Sequence, residues 1–403
     1  MSASDLPFAP VSGVRLAAAA AGIRYRDRDD LVVLELEPGS TCAAVFTRNA
    51  FCAAPVTMAR NHLAQAAPRY WLINAGNANA GTGQQGLAAA RASCEALAKV
   101  MGCQPQEVLP FSTGVIGEHL PVERIAAALP SMVGALSSGA WPDAARAIMT
   151  TDSVPKLRTR RVEIAGRTAT LTGIAKGAGM ICPDMATMLA FIATDVAVAP
   201  DLLKQCLQTA VDPSFNSISV DGDTSTNDAC VIAATGALGN ARITDAGSPD
   251  YAALSSALEG LCVELATAIV RDAEGATKLV TVDVQQARDI AEARQVAYTV
   301  AHSPLVKTAL FASDPNWGRI LAAVGRAGIA DLDIDRIKIS LGDVLIVEDG
   351  GRAQGYEEAQ GAAVMAEPEI LIQILLGRGD TQARVLTCDF SYDYVRINAE
   401  YRT

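Results

Sequence analysis

The segment KGAGMICPDMATML, residues 176–189, joins a glycine-rich turn to the beginning of an apolar strand. Its glycines suggest a phosphate-binding loop, but neither the GxxxxGK(S/T) pattern nor the GxGxxG pattern is present. We predict a strand over residues 188–193, because all six residues are apolar and the run has the length of a buried strand. The ordinary interpretation of the segment is therefore a tight loop that enters a core strand.

Thr187, at the end of this loop, permits a second interpretation in which the chain is cut immediately before it. The new α-amine, with a pKa of about 8, would lie beside the threonine's own hydroxyl, so one residue would supply both nucleophile and base. Ala186 is small, which lets the Thr187 hydroxyl approach its carbonyl for an N→O acyl shift. The residues permit this chemistry without requiring it, and the chain offers no obvious Ser-His-Asp arrangement instead.

Strand-like and helix-like segments alternate along the rest of the chain. Residues 31–36 and 42–46 flank a Pro-Gly-Ser turn and predict a β-hairpin, and residues 162–164 and 169–174 predict another around an Ala-Gly turn. The longest helical pattern covers residues 251–273. We find no internal repeat and no linker composition. The pattern predicts a mixed α/β fold without independent domains joined by a linker.

The composition excludes several classes of function. The 403-residue chain has 33 Lys and Arg against 44 Asp and Glu, a formal net charge of −11, and no local basic cluster that would suit nucleic acid. Nine cysteines without a CxxC pair argue against a disulfide framework, and three histidines are too few for a multi-histidine metal centre. We see no signal sequence and no stretch that approaches the roughly 18 apolar residues of a membrane span. We therefore expect a reduced, cytoplasmic protein that binds neither nucleic acid nor membranes.

Eight segments of the chain, in order, resemble the ornithine acetyltransferase family of arginine biosynthesis, the bifunctional glutamate N-acetyltransferases. They are VFTRNAFCAAPV (45–56), NAGNANAGTG (74–83), STGVIGEHLP (112–121), AIMTTDSVPK (147–156), KGAGMICPDMATML (176–189), DGDTSTND (221–228), DAEGATK (272–278) and KTALFASDPNWGRI (307–320). Any one segment is weak evidence. Eight in family order, along nearly the whole chain, argue strongly against a chance match.

The resemblance implies an α/β (α+β) sandwich of the N-terminal-nucleophile kind, with sheets covered by helices. It also implies autocatalytic cleavage between Ala186 and Thr187. Residues 1–186 would form an alpha chain with the oxyanion hole and part of the substrate site. Residues 187–403 would form a beta chain that begins with the nucleophile and whose C-terminal tail reaches the site. Two alpha and two beta chains would assemble into a heterotetramer.

The reaction that the resemblance implies is a ping-pong acetyl transfer from N2-acetyl-L-ornithine to L-glutamate through an acetyl group on Thr187. Many family members also make N-acetylglutamate from acetyl-CoA, and the sequence carries no coenzyme A signature that decides this point. No metal or organic cofactor is implied. One alternative is an aminopeptidase or amidase that passes the acyl group to water. A non-catalytic relative is the other, and the presence of Thr113, Gly114, Ala186 and Thr187 argues against it.

The family's functional positions transfer onto individual residues of this chain. The oxyanion hole falls on Thr113, through its hydroxyl or amide, and on the backbone N–H of Gly114. Substrate contacts fall on Thr150, Lys176, Thr187, Glu274, Asn398 and Thr403.

Each of these positions also has an ordinary explanation. The STGVIG segment fits a strand end with a glycine turn, Lys176 a surface lysine, Thr150 a turn capped by Asp152, and Glu274 a solvated helix end. The last residues fit a disordered terminus. Aromatic side chains that can anchor this tail are Tyr392, Tyr394 and Tyr401. The acidic loop 221–228 resembles a calcium loop, but its spacing does not continue as an EF-hand, so we reject calcium.

Overall fold

The structure of this chain is a computed structural model that describes residues 7–182 and 188–400. The described residues divide into two compact units. The first contains the described residues up to Asn216 together with Asp223–Ile269, and the second contains Ser217–Gly222 and the described residues from Val270 onward. The predicted boundary between residues 186 and 187 is a different division and lies outside the described residues.

The first unit combines strands and helices throughout its length. Its strands are β1 (Val14–Ala19), β2 (Leu31–Leu36), β3 (Thr41–Phe46), β4 (Tyr70–Asn77), β5 (Val108–Val115), β6 (Lys156–Ile164), β7 (Arg167–Lys176), β8 (Leu189–Thr194) and β9 (Ala229–Ala234). Its helices are α1 (Ala54–Gln65), α2 (Gly83–Met101), α3 (Val122–Gly134), α4 (Trp141–Ala147), α5 (Pro200–Val211) and α6 (Pro249–Arg271), and a 3₁₀ turn covers Pro105–Glu107.

Two sheets of the first unit pack face to face. Their strand orders are β1-β2-β4-β5 and β3-β9-β8-β7-β6. Phe111 of the first sheet lies edge-on to Phe191 of the second, with ring centroids 5.0 Å apart, and Trp71 lies 5.9 Å from the same ring. Every residue of β8 and β9 is buried. Strands covered on both faces need apolar residues throughout, which explains the continuous apolar run predicted at residues 188–193.

Helices cover the outer face of each sheet. Leu97 of α2 belongs to a buried cluster with Val33 and Leu72 on the outer face of the first sheet. On the second sheet, a Cβ added to Gly173 of β7 would lie 3.1 Å from Leu265 of α6, so this glycine lets the helix approach closely. The layers are helix, sheet, sheet and helix, which confirms the expected α/β sandwich with sheets covered by helices.

The two predicted hairpins have different outcomes. β6 and β7 pair antiparallel around Ala165 and Gly166, whose φ angles of 49° and 74° suit a tight hairpin turn, so this hairpin is confirmed. The other prediction is wrong. β2 pairs with β1 and β4, whereas β3 pairs with β9 in the opposite sheet. Since β2 has a neighbour on each edge, β3 cannot pair with it, and the turn carries the chain from one sheet to the other.

The long predicted helix is confirmed as α6, with one correction. By length and composition alone α6 could cross a membrane, contrary to the expectation that no stretch approaches such a span, although 50% of its apolar window is buried inside the protein. Leu254, Leu258, Leu261 and Leu265 are fully buried. Their spacing places them on one helix face, so packing accounts for much of the apolar character of α6.

The second unit contains its own mixed sheet. Its strands are β10 (Leu279–Ala287), β11 (Lys338–Leu341), β12 (Val344–Glu348), β13 (Gly351–Arg352), β14 (Glu369–Leu375) and β15 (Thr381–Cys388). Its helices are α7 (Ile290–Ala301), α8 (Pro304–Phe311), α9 (Trp317–Gly325), α10 (Glu358–Met365) and α11 (Tyr392–Glu400), and a 3₁₀ turn covers Ile334–Arg336.

The core of the second unit lies between this sheet and its helices. The strand order is β13-β12-β11-β14-β10-β15, with β10 parallel to β14 and antiparallel to β15. Val280, Val282 and Val284 alternate along β10 and share a buried cluster with Val296 and Val300 of α7. This two-residue period sets one face of the sheet against the helices.

Candidate active site

A glycine pair distorts the two strands that lead to the predicted oxyanion hole. β4 and β5 run parallel, and their register becomes irregular where Gly76 lies beside Gly114. Gly114 has a φ of 129°, and a Cβ there would lie 2.2 Å from the carbonyl carbon of Gly76 and 2.6 Å from the backbone nitrogen of Asn77. Only glycine fits this close approach of two main chains. The strand end with a glycine turn is therefore present, and Thr113 is fixed directly before it.

Lys176 reaches Thr113 from the other sheet. It is the last residue of β7 and is only 7% exposed, which excludes the ordinary surface lysine. Its Nζ donates a hydrogen bond to Thr113 Oγ1 at 3.2 Å. Lys176 also pairs in register with Leu189, the first residue of β8. The structure thus brings together two predicted site residues that are 63 positions apart, at the strand end where Thr187 precedes Met188 in the chain.

Asp152 forms a buried polar centre close to Lys176. Its Oδ1 accepts from Lys156 Nζ and from the Gly177 backbone N–H, both at 2.7 Å, and its Oδ2 accepts from the Thr150 backbone N–H at 3.0 Å. Burial alone would raise the pKa of Asp152, but the charges of Lys176 and Lys156 and these hydrogen bonds lower the pKa to about 2. The turn between Thr150 and Asp152 exists as the ordinary explanation predicts. Because it uses the main chain of Thr150, it leaves a substrate role for that hydroxyl open.

Hydrogen bonds join four of the motif segments around β4 and β5. Asn227 Nδ2 donates to the carbonyl oxygens of Ala78 at 2.6 Å and Ser112 at 2.9 Å. The Ala53 backbone N–H donates to the carbonyl of Thr226 at 2.9 Å. Segments that are far apart in sequence therefore converge on the strand end that carries Thr113. Sequence reasoning assigned Asn227 no role, although its place in the DGDTSTND motif was a usable signal.

Glu274 and Asn398, two further predicted substrate contacts, lie together in the second unit. Glu274 is 8% exposed, which excludes a solvated helix end, and its Oε2 accepts from Asn398 Nδ2 at 2.7 Å. The adjacent Gly275 has a φ of 67°, and a Cβ there would lie 2.5 Å from the Tyr394 backbone nitrogen. The loop after α6 is thus closely packed against the start of α11, and Asn398 is held in a helix rather than in a disordered tail.

The aromatic anchors of this tail differ from one another. Tyr394 stacks on Phe390 with ring centroids 4.6 Å apart, and its hydroxyl donates to Asp221 Oδ2 at 3.3 Å, so this anchor is confirmed. Tyr392 makes an edge-on contact with Phe311, with ring centroids 5.4 Å apart, but it remains 84% exposed, so it holds the tail only at its surface. Tyr392 is the first residue of α11 and lies on the solvent side of that helix, whereas Tyr394 packs against other residues of the second unit. Tyr401 lies outside the described residues.

Three predicted site residues also lie outside the described residues, namely Ala186, Thr187 and Thr403. Within residues 7–182 and 188–400, no group of three or more His, Cys, Asp or Glu side chains is arranged to hold a metal ion.

The residue that sequence reasoning most clearly undervalued is Asp152, which it considered only as a turn cap. Its acidic side chain, four positions before Lys156 in the segment TTDSVPK, was the available signal.

Comparisons with known proteins agree with one another. The sequence profile of the ArgJ family matches residues 15–403. The chain is 60% identical over 400 residues to the arginine biosynthesis bifunctional protein ArgJ of Methylococcus capsulatus, which covers 99% of this chain and 98% of that protein. It is similar to the solved structure of the arginine biosynthesis bifunctional protein ArgJ of Bacillus halodurans, with 38% identity, a TM-score of 0.50, and coverage of 52% of this chain and 98% of that chain. An ornithine acetyltransferase complexed with ornithine, from Mycobacterium tuberculosis, matches with 36% identity, a TM-score of 0.38, and coverage of 43% and 93%.

Proposed function

The chain belongs to the ArgJ family, and from this premise we propose that it transfers an acetyl group from N2-acetyl-L-ornithine to L-glutamate with Thr187 as the nucleophile. Full-length identity of 60% to a bifunctional arginine-biosynthesis protein supports an acetyltransferase of arginine biosynthesis over an aminopeptidase or amidase. The word bifunctional in that relative's name supports a second reaction from acetyl-CoA and glutamate. We assign both reactions to the same threonine.

The observation that carries the proposal is the hydrogen bond from Lys176 to Thr113. An ammonium group only donates, so the Thr113 hydroxyl accepts from Lys176 and directs its own proton elsewhere. That proton, together with the backbone N–H of Gly114, suits an oxygen that becomes negative when an acetyl carbonyl is attacked. Thr187 stands two positions before Leu189, the strand partner of Lys176. The strand that follows the proposed nucleophile in the chain therefore pairs with the strand whose last residue contacts Thr113.

The proposed reaction has two halves. The Thr187 Oγ attacks the acetyl carbonyl, its own α-amine takes the hydroxyl proton, and the same amine returns a proton to the ornithine that leaves. The amine of glutamate then attacks the acetyl-threonine ester and releases the threonine. Lys176, with the buried Asp152–Lys156 pair behind it, supplies positive charge for a substrate carboxylate. We retain Thr150, Glu274, Asn398 and Thr403 as proposed substrate contacts.

Cleavage between Ala186 and Thr187 would free the α-amine that this mechanism needs. The solved Bacillus halodurans chain is about half as long as this one, because 98% of it matches only 52% of this chain. A chain of half length is what separate alpha and beta chains would give. The proposal therefore includes an alpha chain of residues 1–186, a beta chain of residues 187–403, and assembly of two copies of each in the cytoplasm.

The first test is the denatured intact mass of the purified protein beside Thr187→Ala and Thr187→Ser variants. In proportion to their residue numbers, the two chains should weigh roughly 19 and 23 kDa out of 41.9 kDa. We expect both chains for the unmodified protein, slower appearance of both for the serine variant, and a single uncut chain for the alanine variant. Uncut protein in all three would contradict the Thr187 mechanism.

A second measurement separates acetyl transfer from hydrolysis. Ornithine release from N2-acetyl-L-ornithine should accelerate when glutamate is added, and N-acetylglutamate should appear in equal amount. An amidase would release ornithine and acetate at a rate that glutamate does not change. Replacing acetylornithine by acetyl-CoA in the same assay tests the second activity.

A further inference from the structure

Asp152 connects its own segment, which contains Thr150 and Lys156, to Gly177 directly after β7 through one carboxylate. Its side chain is fully buried, as is that of Lys156, and the two form an ion pair at 2.7 Å. The carboxylate also accepts hydrogen bonds from the backbone N–H groups of Gly177 and Thr150. A buried carboxylate that accepts this many hydrogen bonds has few alternative positions, because each lost bond would leave a desolvated group without a partner.

The segments that Asp152 holds are those that carry the proposed chemistry. Thr150 and Lys176 are proposed substrate contacts, and Gly177 directly follows Lys176 at the beginning of the segment that leads to Ala186 and Thr187. Gly177 has a φ of 151°, a value that favours glycine, and the chain bends directly after it, at residues 178–180. A movement of Asp152 would therefore displace Lys176 and the turn that follows it.

Charge reinforces the geometry of this cluster. Asp152 stays ionised because the nearby lysine charges outweigh the effect of burial on its pKa. The carboxylate with Lys156 and Lys176 sums to one positive charge, and Lys176 is the member that contacts Thr113. Both lysines therefore contribute to keeping the buried carboxylate ionised.

We propose that Asp152 is a positioning residue for acetyl transfer and for self-cleavage, acting through the Gly177 turn and the placement of Lys176. This inference rests on the proposed function. It assigns to Asp152 a role beyond the burial of Lys156: its carboxylate fixes the distance between Lys176 and Thr113 and the direction in which the chain leaves β7.

The test compares Asp152→Asn, Lys156→Met and the double variant with the unmodified protein. Asparagine has the shape of aspartate but presents an NH₂ group in place of one acceptor oxygen, so it cannot keep all three bonds. The double variant also removes the buried Lys156 charge, which in the single variant loses its contact with a carboxylate. Thermal unfolding measures the structural role. Ornithine release per cleaved molecule and the fraction of cleaved chain by intact mass measure the positioning role.

We expect the double variant to recover most of the unfolding temperature that Asp152→Asn loses while kcat/KM for acetyl transfer stays lower on the order of 100-fold, because misplacement of about 1 Å costs that much. Cleavage should remain slow in both variants. Lys156→Met alone should keep more activity than either, because the carboxylate still holds Gly177 and Thr150. Recovery of both stability and transfer to within about threefold in the double variant would overturn the positioning role. If the unmodified protein is neither cleaved nor active, the proposed function is wrong, and the positioning role of Asp152 fails with it.

Discussion

The two units of this protein each bury lysine side chains, but with different partners. In the first unit, Lys156 is 1% exposed and its Nζ lies 2.7 Å from the buried carboxylate of Asp152. In the second unit, Lys307 is also 1% exposed, and its Nζ donates to Thr387 Oγ1 at 2.9 Å and to the Cys388 carbonyl. One ammonium group thus faces an anion directly, whereas the other faces mainly neutral oxygens.

This difference in partners affects which buried side chains stay charged. Burial lowers the pKa of Lys307, and the nearby Cys388, Asp389 and Asp221 oppose that effect without cancelling it. The Phe390 ring, 4.5 Å from Lys307 Nζ, adds a cation–π contact. In the first unit the carboxylate of Asp152 is instead held ionised, with a pKa of about 2. A direct ion pair retains charge in a buried place, and contacts to neutral groups do so less well.

The comparison indicates different roles for the two buried clusters. The first unit keeps fixed charges beside Lys176 and Thr113, the residues that we propose for acetyl transfer. The second unit uses Lys307 to join α8 to the end of β15, where its donors satisfy main-chain and hydroxyl acceptors. Loss of Lys176 should therefore impair the reaction, whereas loss of Lys307 should impair the stability of the fold.

The largest effect is expected for Lys176→Met. The variant removes the donor to Thr113 and the cation proposed for a substrate carboxylate, so kcat/KM for ornithine release should fall about 100- to 1,000-fold, the loss typical of one oxyanion-hole donor, or about 2.7–4 kcal/mol. Asp152 keeps Lys156 and Gly177 as partners. The free energy of unfolding should therefore change by less than the activation free energy of the reaction. Steady-state kinetics and urea unfolding measure the two effects.

Lys204→Met is the matched control for this variant. Lys204 is an exposed lysine of α5 in the same unit, so its loss removes one positive charge without touching Thr113. It should leave both kinetics and stability close to those of the unmodified protein. If Lys204→Met slows the reaction as much as Lys176→Met, the effect is one of overall charge and the assigned role of Lys176 is wrong.

The opposite outcome is expected for Lys307→Met. The Thr387 hydroxyl and the Cys388 carbonyl would stay buried without their donor, which should lower the free energy of unfolding by roughly 3 kcal/mol, at about 1–3 kcal/mol for each such group. The rate of acetyl transfer per folded molecule should stay within about threefold. Lys338→Met, at an exposed lysine in the same unit, is the control for stability. A large loss of rate in a stable Lys307→Met protein would remove the distinction between the two clusters.

The sequence predicts the elements of these clusters better than their contacts. Apolar runs identified the long helix and the core strand after Thr187, because burial on two faces leaves a clear pattern. The pairing of β2 and β3 was predicted wrongly, since a short turn is equally compatible with a hairpin and with a change of sheet. The motif match marked Thr113 and Lys176 separately. Their hydrogen bond depends on how two sheets pack, which no local pattern encodes. The bond from Gly177 to Asp152 likewise joins residues that are 25 positions apart.

The smallest effect is the acid dependence of stability that Asp152 contributes. Its pKa in the folded protein, about 2, lies below the ordinary value of 3.8, so the unfolded chain binds a proton more readily than the folded chain. The stabilisation is complete above about pH 5 and is lost progressively as the pH falls to about 1, a change of about 2 kcal/mol. Urea unfolding at several pH values in this range, for the unmodified protein and for the Asp152→Asn/Lys156→Met variant, isolates the contribution of this one carboxylate from those of the other acids. The variant should lose less stability over the same interval, by about that amount. Equal slopes for both proteins would show that Asp152 titrates like an exposed aspartate, and the contrast between a fixed ion pair in the first unit and the neutral surroundings of Lys307 in the second would then no longer hold.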